Sequence, residues 1–310
     1  MSAATEFAVA AGSNMVSGAM FNCFDVARVR LQIQDGLGQA GHYRGLPQTL
    51  AKIVKEEGLL GPWRPGLGAA IFRELFYGGF QFGAYGPIKT ALGTVLGSTG
   101  TGQDSMLHKV VASCCSGASA SLLGCPTDVI KTRLQCESGM RNSAGVFTTG
   151  LYRGQKPTYR HSADAVVKIL QREGVGGFYS GVVPTVIRAV FLTAGLLVSY
   201  DSFKQEAKIR GWATEGLPLH VAGGMLSGLC AATTAAPWDL VKTRIQNDAK
   251  GEYRGVLDCM VKTIRHEGAF GLYKGWLAMY LRLGPAVVVQ VPMIEYARQL
   301  VGLSYFGVID

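Results

Sequence analysis

Pro126 to Gln135 reads PTDVIKTRLQ. An acid and two bases follow an apolar stretch, and the block opens with proline, the residue that helix interiors tolerate worst. The pattern recurs as PWDLVKTRIQ from Pro237 to Gln246 and as CFDVARVRLQ from Cys23 to Gln32. The three aspartates, Asp25, Asp128 and Asp239, lie 103 and 111 residues apart. A charged block at the end of an apolar segment, present three times, asks what structure needs it three times.

Other features repeat in the same order. Each block is followed by an aromatic-basic pair at Tyr43, Tyr159 and Tyr253, then by an acid-glycine pair at Glu57-Gly58, Glu173-Gly174 and Glu267-Gly268. Next come WRPG (Trp63 to Gly66), YSG (Tyr179 to Gly181) and YKG (Tyr273 to Gly275). Seven residues beyond each last glycine stands an arginine, Arg73, Arg188 or Arg282, and 16 residues further a base, Lys89, Lys204 or Arg298. The chain is therefore three homologous units, read as 1–97, 98–210 and 211–310. Each unit offers two long, mostly apolar segments, expected as helices over 7–34 and 66–96, 106–137 and 182–208, and 218–247 and 276–302. Short helices are expected near 47–57, 163–173 and 256–267.

Composition points to a membrane. The chain is 48% hydrophobic and 16% charged, against roughly 25% charged for a soluble domain. Its 42 glycines suit close helix contacts, with Gly12 and Gly18, Gly117 and Ser121, and Gly224 and Gly228 as examples. About 20 apolar residues cross a hydrocarbon core, and a soluble solenoid would repeat every 20–50 residues instead. Two spans per unit return the chain to the same side, so the expected fold is all-α, with six transmembrane helices in three pseudo-threefold repeats. The net charge of +9 points to anionic partners. The bases form no run of the nucleic-acid type. Seven cysteines without ligand spacing read as free thiols, with no metal and no cofactor. The first residues, MSAATEFAVAAGS, lack the basic start of a secretory signal, so targeting information is expected to be internal.

Within each block the acid, base and glutamine fall at i, i+3 and i+7: Asp25, Arg28, Gln32; Asp128, Lys131, Gln135; Asp239, Lys242, Gln246. That spacing places them on one helix face. A single copy would read as a solvated helix end with a local ion pair. Three copies around a threefold axis instead let each acid meet a neighbouring base, as Asp25–Lys131, Asp128–Lys242 and Asp239–Arg28. A weaker set, Tyr85-Gly86-x-x-Lys89, Tyr200-Asp201-x-x-Lys204 and Ile294-Glu295-x-x-Arg298, closes the far ends of the even-numbered helices.

Arg73, Arg188 and Arg282 lie about 10 Å past the turn glycine and about 24 Å before the terminal base at 1.5 Å per residue. An arginine at that depth is functional by default. The competing reading pairs Arg73 with Glu74 structurally, and adjacent residues point in different directions on a helix, which disfavours it. Three planar forks at one level suit carboxylates. Gln81 and Gln290 are expected to line the same cavity.

The triplicated PxDxxKxRxQ block with its Glu-Gly and aromatic-x-Gly elements resembles the mitochondrial carrier family over about residues 8–303. The resemblance implies an inner-membrane transporter that opens alternately to the matrix and to the intermembrane space. It assigns the Asp blocks to a matrix gate braced by Gln32, Gln135 and Gln246, and the second set (Lys89, Asp201, Lys204, Glu295, Arg298) to a cytoplasmic gate. It also implies a short amphipathic helix on the matrix side of each repeat, cardiolipin at helix N-termini, and a chain that functions as a monomer. PTVIRAVFLTAGLLVSYDSFK and LRLGPAVV are similar to the dicarboxylate, oxoglutarate and uncoupling branch. The expected activity is antiport of small dicarboxylates resembling malate, oxoglutarate or oxaloacetate, bound by Arg73, Arg188, Arg282, Glu74, Gln81 and Gln290. The alternative is an uncoupling-type carrier conducting protons with fatty acids. No recurrent nucleophile-base or metal constellation supports an enzyme, so no catalytic residue is expected. Four departures stand out: Cys23 replaces the first proline, Pro65 adds a residue to WRPG, Gly86 removes an acid, and Glu74 stands where the branch has glutamine.

Overall fold

The computed structural model describes residues 12, 15–39, 41–74, 88, 90–91, 106–211, 217–248, 251–286 and 289. Its helices are α1 (Asn22–Ile33), α2 (Leu46–Glu57), α3 (Met106–Cys136), α4 (Ser162–Glu173), α5 (Val182–Ile209), α6 (Leu217–Gln246) and α7 (Val256–Glu267). Residues 15–20, 67–74 and 276–286 are also helical. Short 3-10 turns at Val175–Tyr179 and Ala269–Tyr273 follow α4 and α7. The protein is an all-α membrane protein of three repeats. Among the described residues, Val110–Cys136, Val175–Ile209 and Leu219–Gln246 are long and apolar enough to cross a membrane. The segments expected over 66–96 and 276–302 lie in large part outside the described residues.

The amphipathic helices α2, α4 and α7 have the same length and the same logic. In α4, Ala165 and Ile169 are buried while Val167 and Leu170 are exposed. In α7, Cys259 and Thr263 are buried while Leu257, Val261 and Ile264 are exposed. A helix with an apolar outer face suits the interface between lipid and water. The long helices also turn apolar side chains outward, among them Leu122, Leu123, Val183, Phe191 and Val198, as lipid requires.

Packing between repeats relies on small side chains. Ala69 of the first repeat packs with Cys125, Val129, Ala165 and Ile169 of the second, and Ala278 of the third packs with Ala27 and Leu46 of the first. Gly228 of α6 faces Gly284 so closely that a Cβ on Gly228 would lie 3.0 Å from Gly284 backbone. Among the described residues, none comes within 4 Å of the Cβ position of Gly12, which was expected in such a contact. All seven cysteines are free thiols.

The first repeat departs from its sisters at the position of the missing proline. α3 and α6 run unbroken through Pro126 and Pro237. The helical path of the first repeat is interrupted at Phe21, between 15–20 and α1. There the Phe24 amide bonds back three residues to the Phe21 carbonyl at 3.1 Å. The Met20 carbonyl accepts instead from the Trp63 indole at 3.0 Å. Asn22 donates to the Trp63 and Pro65 carbonyls at 2.8 and 3.3 Å. The residues just before Cys23 are thus in contact with the WRPG turn. With no proline at Cys23 the expectation is a helix that bends less or by another cause, and the cause here is the Trp63 indole, which takes the Met20 carbonyl.

Candidate functional site

Three glycines set the site's geometry. Gly66, Gly181 and Gly275 have φ of 66°, 73° and 86°, values that favour glycine. Each also presses against the charged block of another repeat. A Cβ would lie 3.0 Å from Gln135 Cγ at Gly66, 3.1 Å from Gln246 Cγ at Gly181 and 2.9 Å from Arg28 Cγ at Gly275. The turn that opens each arginine-bearing helix (67–74, α5 and 276–286) is therefore seated on the block beside it. That contact fixes the height of Arg73, Arg188 and Arg282 above the blocks.

The blocks meet across all three repeat boundaries. Lys131 Nζ lies 2.6 Å from Asp25 Oδ2, Lys242 Nζ lies 2.5 Å from Asp128 Oδ2, and Arg28 Nη1 lies 3.3 Å from Asp239 Oδ2. The third contact is the loosest. Arg28 divides itself between Asp239 and its own-turn Asp25, also at 3.3 Å, and its Nε and Nη1 lack a hydrogen-bond partner. A planar guanidinium set between two acids satisfies neither as a lysine ammonium can.

The arginine triplet joins the same ring, a connection the sequence did not suggest. Arg73 Nε donates to Asp128 Oδ1 at 2.5 Å, Arg188 Nε to Asp239 Oδ1 at 2.7 Å, and Arg282 Nη1 to Asp25 Oδ1 at 2.7 Å. Each acid thus receives one base from the block of a neighbouring repeat and one arginine from the helix that follows a glycine turn (67–74, α5 or 276–286). About 20 Å³ remains between these side chains, room for one water and too little for a carboxylate. The seven-residue offset from glycine to arginine is too short to lift a long side chain clear of the acids below.

Arg73 and Glu74 are paired, contrary to expectation. Arg73 Nη1 lies 2.5 Å from Glu74 Oε1, and Arg282 Nη2 donates to the same oxygen at 3.1 Å. Neighbouring residues on a helix leave in different directions, yet the length of these side chains lets the guanidinium reach Asp128 with one edge and Glu74 with the other.

The glutamines behave unequally. Gln32 Nε2 donates to Asp239 Oδ2 at 2.9 Å. Gln135 donates to Asn22 at 3.0 Å and Gln246 accepts from Thr132 at 3.0 Å, so these two brace helix contacts rather than acids. Asp201 and Lys204 lie on α5, with Lys204 engaged in a contact. Gln81, Lys89, Gln290, Glu295 and Arg298 lie outside the described residues.

A second ionic layer also escaped sequence reading. Arg30 Nη1 pairs with Glu57, Arg133 Nη1 with Glu173 and Arg244 Nη2 with Glu267, each at 2.5 Å. These bonds tie the end of each block to the C-terminal end of its short helix. The signal was present, because the arginine five residues after each aspartate repeats as faithfully as the Glu-Gly pair. Beyond it, Lys274 Nζ lies 2.5 Å from Asp35 Oδ2 and 2.8 Å from Glu267 Oε2, a link between the third and first repeats.

Three homologous helical units whose charged blocks close on a common axis define a membrane carrier with pseudo-threefold symmetry. A family profile described as mitochondrial carrier protein matches residues 1–95, 102–209 and 214–304. Mitochondrial uncoupling protein 2 of Arabidopsis thaliana is 34% identical over 281 residues, covering 89% of this chain and 87% of that protein. Mitochondrial substrate carrier family protein ucpB of Dictyostelium discoideum is 34% identical over 299 residues, 94% of each chain. Putative mitochondrial transporter UCP3 of Sus scrofa is 32% identical over 277 residues, 89% of this chain and 85% of that one. The chain belongs to the mitochondrial carrier family. It is a multi-pass protein of the mitochondrial inner membrane, a transporter rather than an enzyme, and its family points to small anionic solutes.

Proposed function

We propose that this protein is an uncoupling-type carrier that holds a carboxylate anion between Arg73, Arg188 and Arg282. The observation that carries the reading is the double duty of those arginines, each of which donates to an acid of another repeat. The acids and bases of the blocks act as the matrix gate. An anion arriving from the opposite side competes for the arginines. Once they turn to it, Asp128 keeps Lys242, while Asp25 and Asp239 keep their block bases, and the gate loosens. Binding energy is thereby spent on the conformational change. The name of one relative given above, mitochondrial uncoupling protein 2, favours the uncoupling form, in which the anion is a fatty-acid carboxylate accompanying proton leak.

A second reading is antiport of small dicarboxylates, favoured by the charge on the axis. Six bases (Arg28, Arg73, Lys131, Arg188, Lys242, Arg282) face four acids (Asp25, Glu74, Asp128, Asp239), a surplus that two carboxylates neutralise. Reconstitution into liposomes separates the two forms. Fatty-acid-dependent proton leak without internal counter-substrate supports uncoupling, and dicarboxylate uptake only against an internal counter-substrate supports exchange. Arg188→Ala should abolish either activity while the bundle still folds. Full transport by that variant would refute the arginine site.

Cardiolipin fits a cavity of about 550 Å³ at the boundary of the first two repeats, lined by Arg64, Pro65, Gly66, Arg141, Arg160 and Ser162. Ser162 begins α4, and a helix start favours a phosphate, although His161 already accepts from the Asp164 amide there. Arg64, Arg141 and Arg160 supply the positive charge, and Pro65 forms part of the wall. The axis lies within one chain, which supports function as a monomer.

A further inference from the structure

Glu74 is the acid of the axis with no threefold counterpart. The residues after the other two arginines are Ala189 and Leu283. Its carboxylate accepts from Arg73 at 2.5 Å and from Arg282 at 3.1 Å, so it occupies two of the three arginines as an anion from outside would. The side chain is largely buried and its stem lies over Gly18, where a Cβ would come within 2.9 Å of Glu74 Cγ. Glycine at that point of the first repeat gives the carboxylate its path across to the third. The charged groups facing it are Arg73 from its own helix and Arg282 from the third repeat. Lys131 of α3 is the next cation within electrostatic reach, and the helix carrying Gly18 presents no charge at that contact.

We propose that Glu74 sets the valence of the anion this carrier accepts, an inference that rests on the second, dicarboxylate reading of the arginine site given above and deepens it. Charge left uncompensated inside a membrane bundle is costly, so the preferred anion is the one that completes the count. With Glu74 ionised, six bases face four acids and a dianion leaves the axis neutral. A trianion brings one negative charge too many, and a monoanion leaves one positive charge unmatched. Replacing Glu74 by a neutral residue raises the surplus to three and moves the preference to a trianion. Selection by charge also predicts tolerance of substrate length, because no side chain at the equivalent positions in the other repeats adds a polar contact.

The test is the thermal unfolding midpoint of the purified full-length protein in detergent at pH 7.5, titrated with succinate, tricarballylate and aspartate. A ligand that binds the folded state raises the midpoint with its concentration. For the wild type, succinate is expected to act at lower concentration than tricarballylate. For Glu74→Gln, and for Glu74→Ala as a second variant, the order reverses, with the ratio of half-maximal concentrations moving about tenfold, within the usual range of coupling between sites. An unchanged ratio in both variants overturns the proposal while leaving the carboxylate site standing. Stronger stabilisation of the wild type by aspartate than by succinate, lost in Glu74→Gln, also overturns it, because Glu74 would then be the partner of an ammonium group. If no carboxylate stabilises the wild type, and Arg188→Ala behaves identically, the arginine site itself fails and this proposal falls with it.

Discussion

Lys131 Nζ and Asp25 Oδ2 stand 2.6 Å apart across 106 positions of sequence and the boundary between the first and second repeats. The pair is not isolated, because Arg282 at 2.7 Å and Arg28 at 3.3 Å share the same carboxylate. Breaking a buried pair with no other partner costs about 3–5 kcal/mol. Lys131→Gln leaves Asp25 with two bases, so we expect a loss nearer 1–3 kcal/mol, read as a lower unfolding midpoint. The charge exchange Asp25→Lys with Lys131→Asp is expected to be less stable than Lys131→Gln alone, since Arg28 and Arg282 would then face a cation. Recovery of wild-type stability by the exchange would reduce the ring to independent pairs.

Gly66, Gly181 and Gly275 should not tolerate alanine. A left-handed backbone costs a residue with a Cβ about 1–2 kcal/mol, and here the added methyl also meets a neighbouring block. We expect losses of about 1–3 kcal/mol in total, greatest at Gly275. There the methyl would push on Arg28, whose guanidinium already lacks partners at two nitrogens. Melting curves of the three variants give the order directly, and equal stability of all three with the wild type would remove the glycines from the geometry of the site.

The short helices should respond differently to acid. Asp164 accepts from the Arg160 amide and from Lys168, both at 2.8 Å, and Asp258 from the Arg254 amide at 3.0 Å and Lys262 at 2.7 Å. The lysine hydrogen bond first, and the amide next, hold both carboxyls below the ordinary carboxylate range. A depressed carboxyl pKa contributes stability that is present above the unfolded value and is lost as pH falls through the folded one. In α2 the equivalent contact is made by Gln48, which accepts from the Arg44 amide at 3.1 Å and does not titrate. Lowering the pH from 7 to 3 should therefore speed amide exchange at the starts of α4 and α7 more than at the start of α2. Uniform behaviour of the three helices would contradict this.

Trp63→Phe removes the donor to the Met20 carbonyl while keeping an aromatic ring. A hydrogen bond of this kind contributes about 0.5–1.5 kcal/mol, and the variant is expected to lose that much. Its Phe24 amide should become better protected from exchange, because it can then return to Met20. Unchanged protection at Phe24 would separate the helix interruption from the indole.

Much of this was legible in the sequence because it was written three times. The partners of Asp25, Asp128 and Asp239 followed from spacing and symmetry, since any closed ring of three units offers each acid a neighbouring base. The boundaries of α3, α5 and α6 fell within a residue or so of the expected ones, because apolar length and the Asp block mark them on both sides. What spacing could not convey was reach. The arginine at position 73 contacts both Asp128 and Glu74, and that depends on how far a guanidinium extends from its helix, which residue offsets do not encode. For Gln135 and Gln246 spacing did not name the partners: Gln135 donates to Asn22, just outside the first block, and Gln246 accepts from Thr132 within the second. The interruption at Phe21 was invisible for a related reason, as it depends on Trp63, 42 positions away.

That interruption makes the three corners of the bundle chemically unequal. In the second and third repeats a pyrrolidine ring has deleted one rung of the helical ladder, and no motion of the protein can put it back. In the first repeat a neighbouring rung, one residue further along, is merely lent out: the Met20 carbonyl is held by an indole, and the Phe24 amide that would reclaim it lies one turn away. Straightening this corner requires exchanging one donor for another at a single oxygen. A machine with two permanent elbows and one that can be undone has a built-in starting point, and here it lies in the first repeat, on the segment that also carries the gap at Gly18 through which Glu74 crosses the axis.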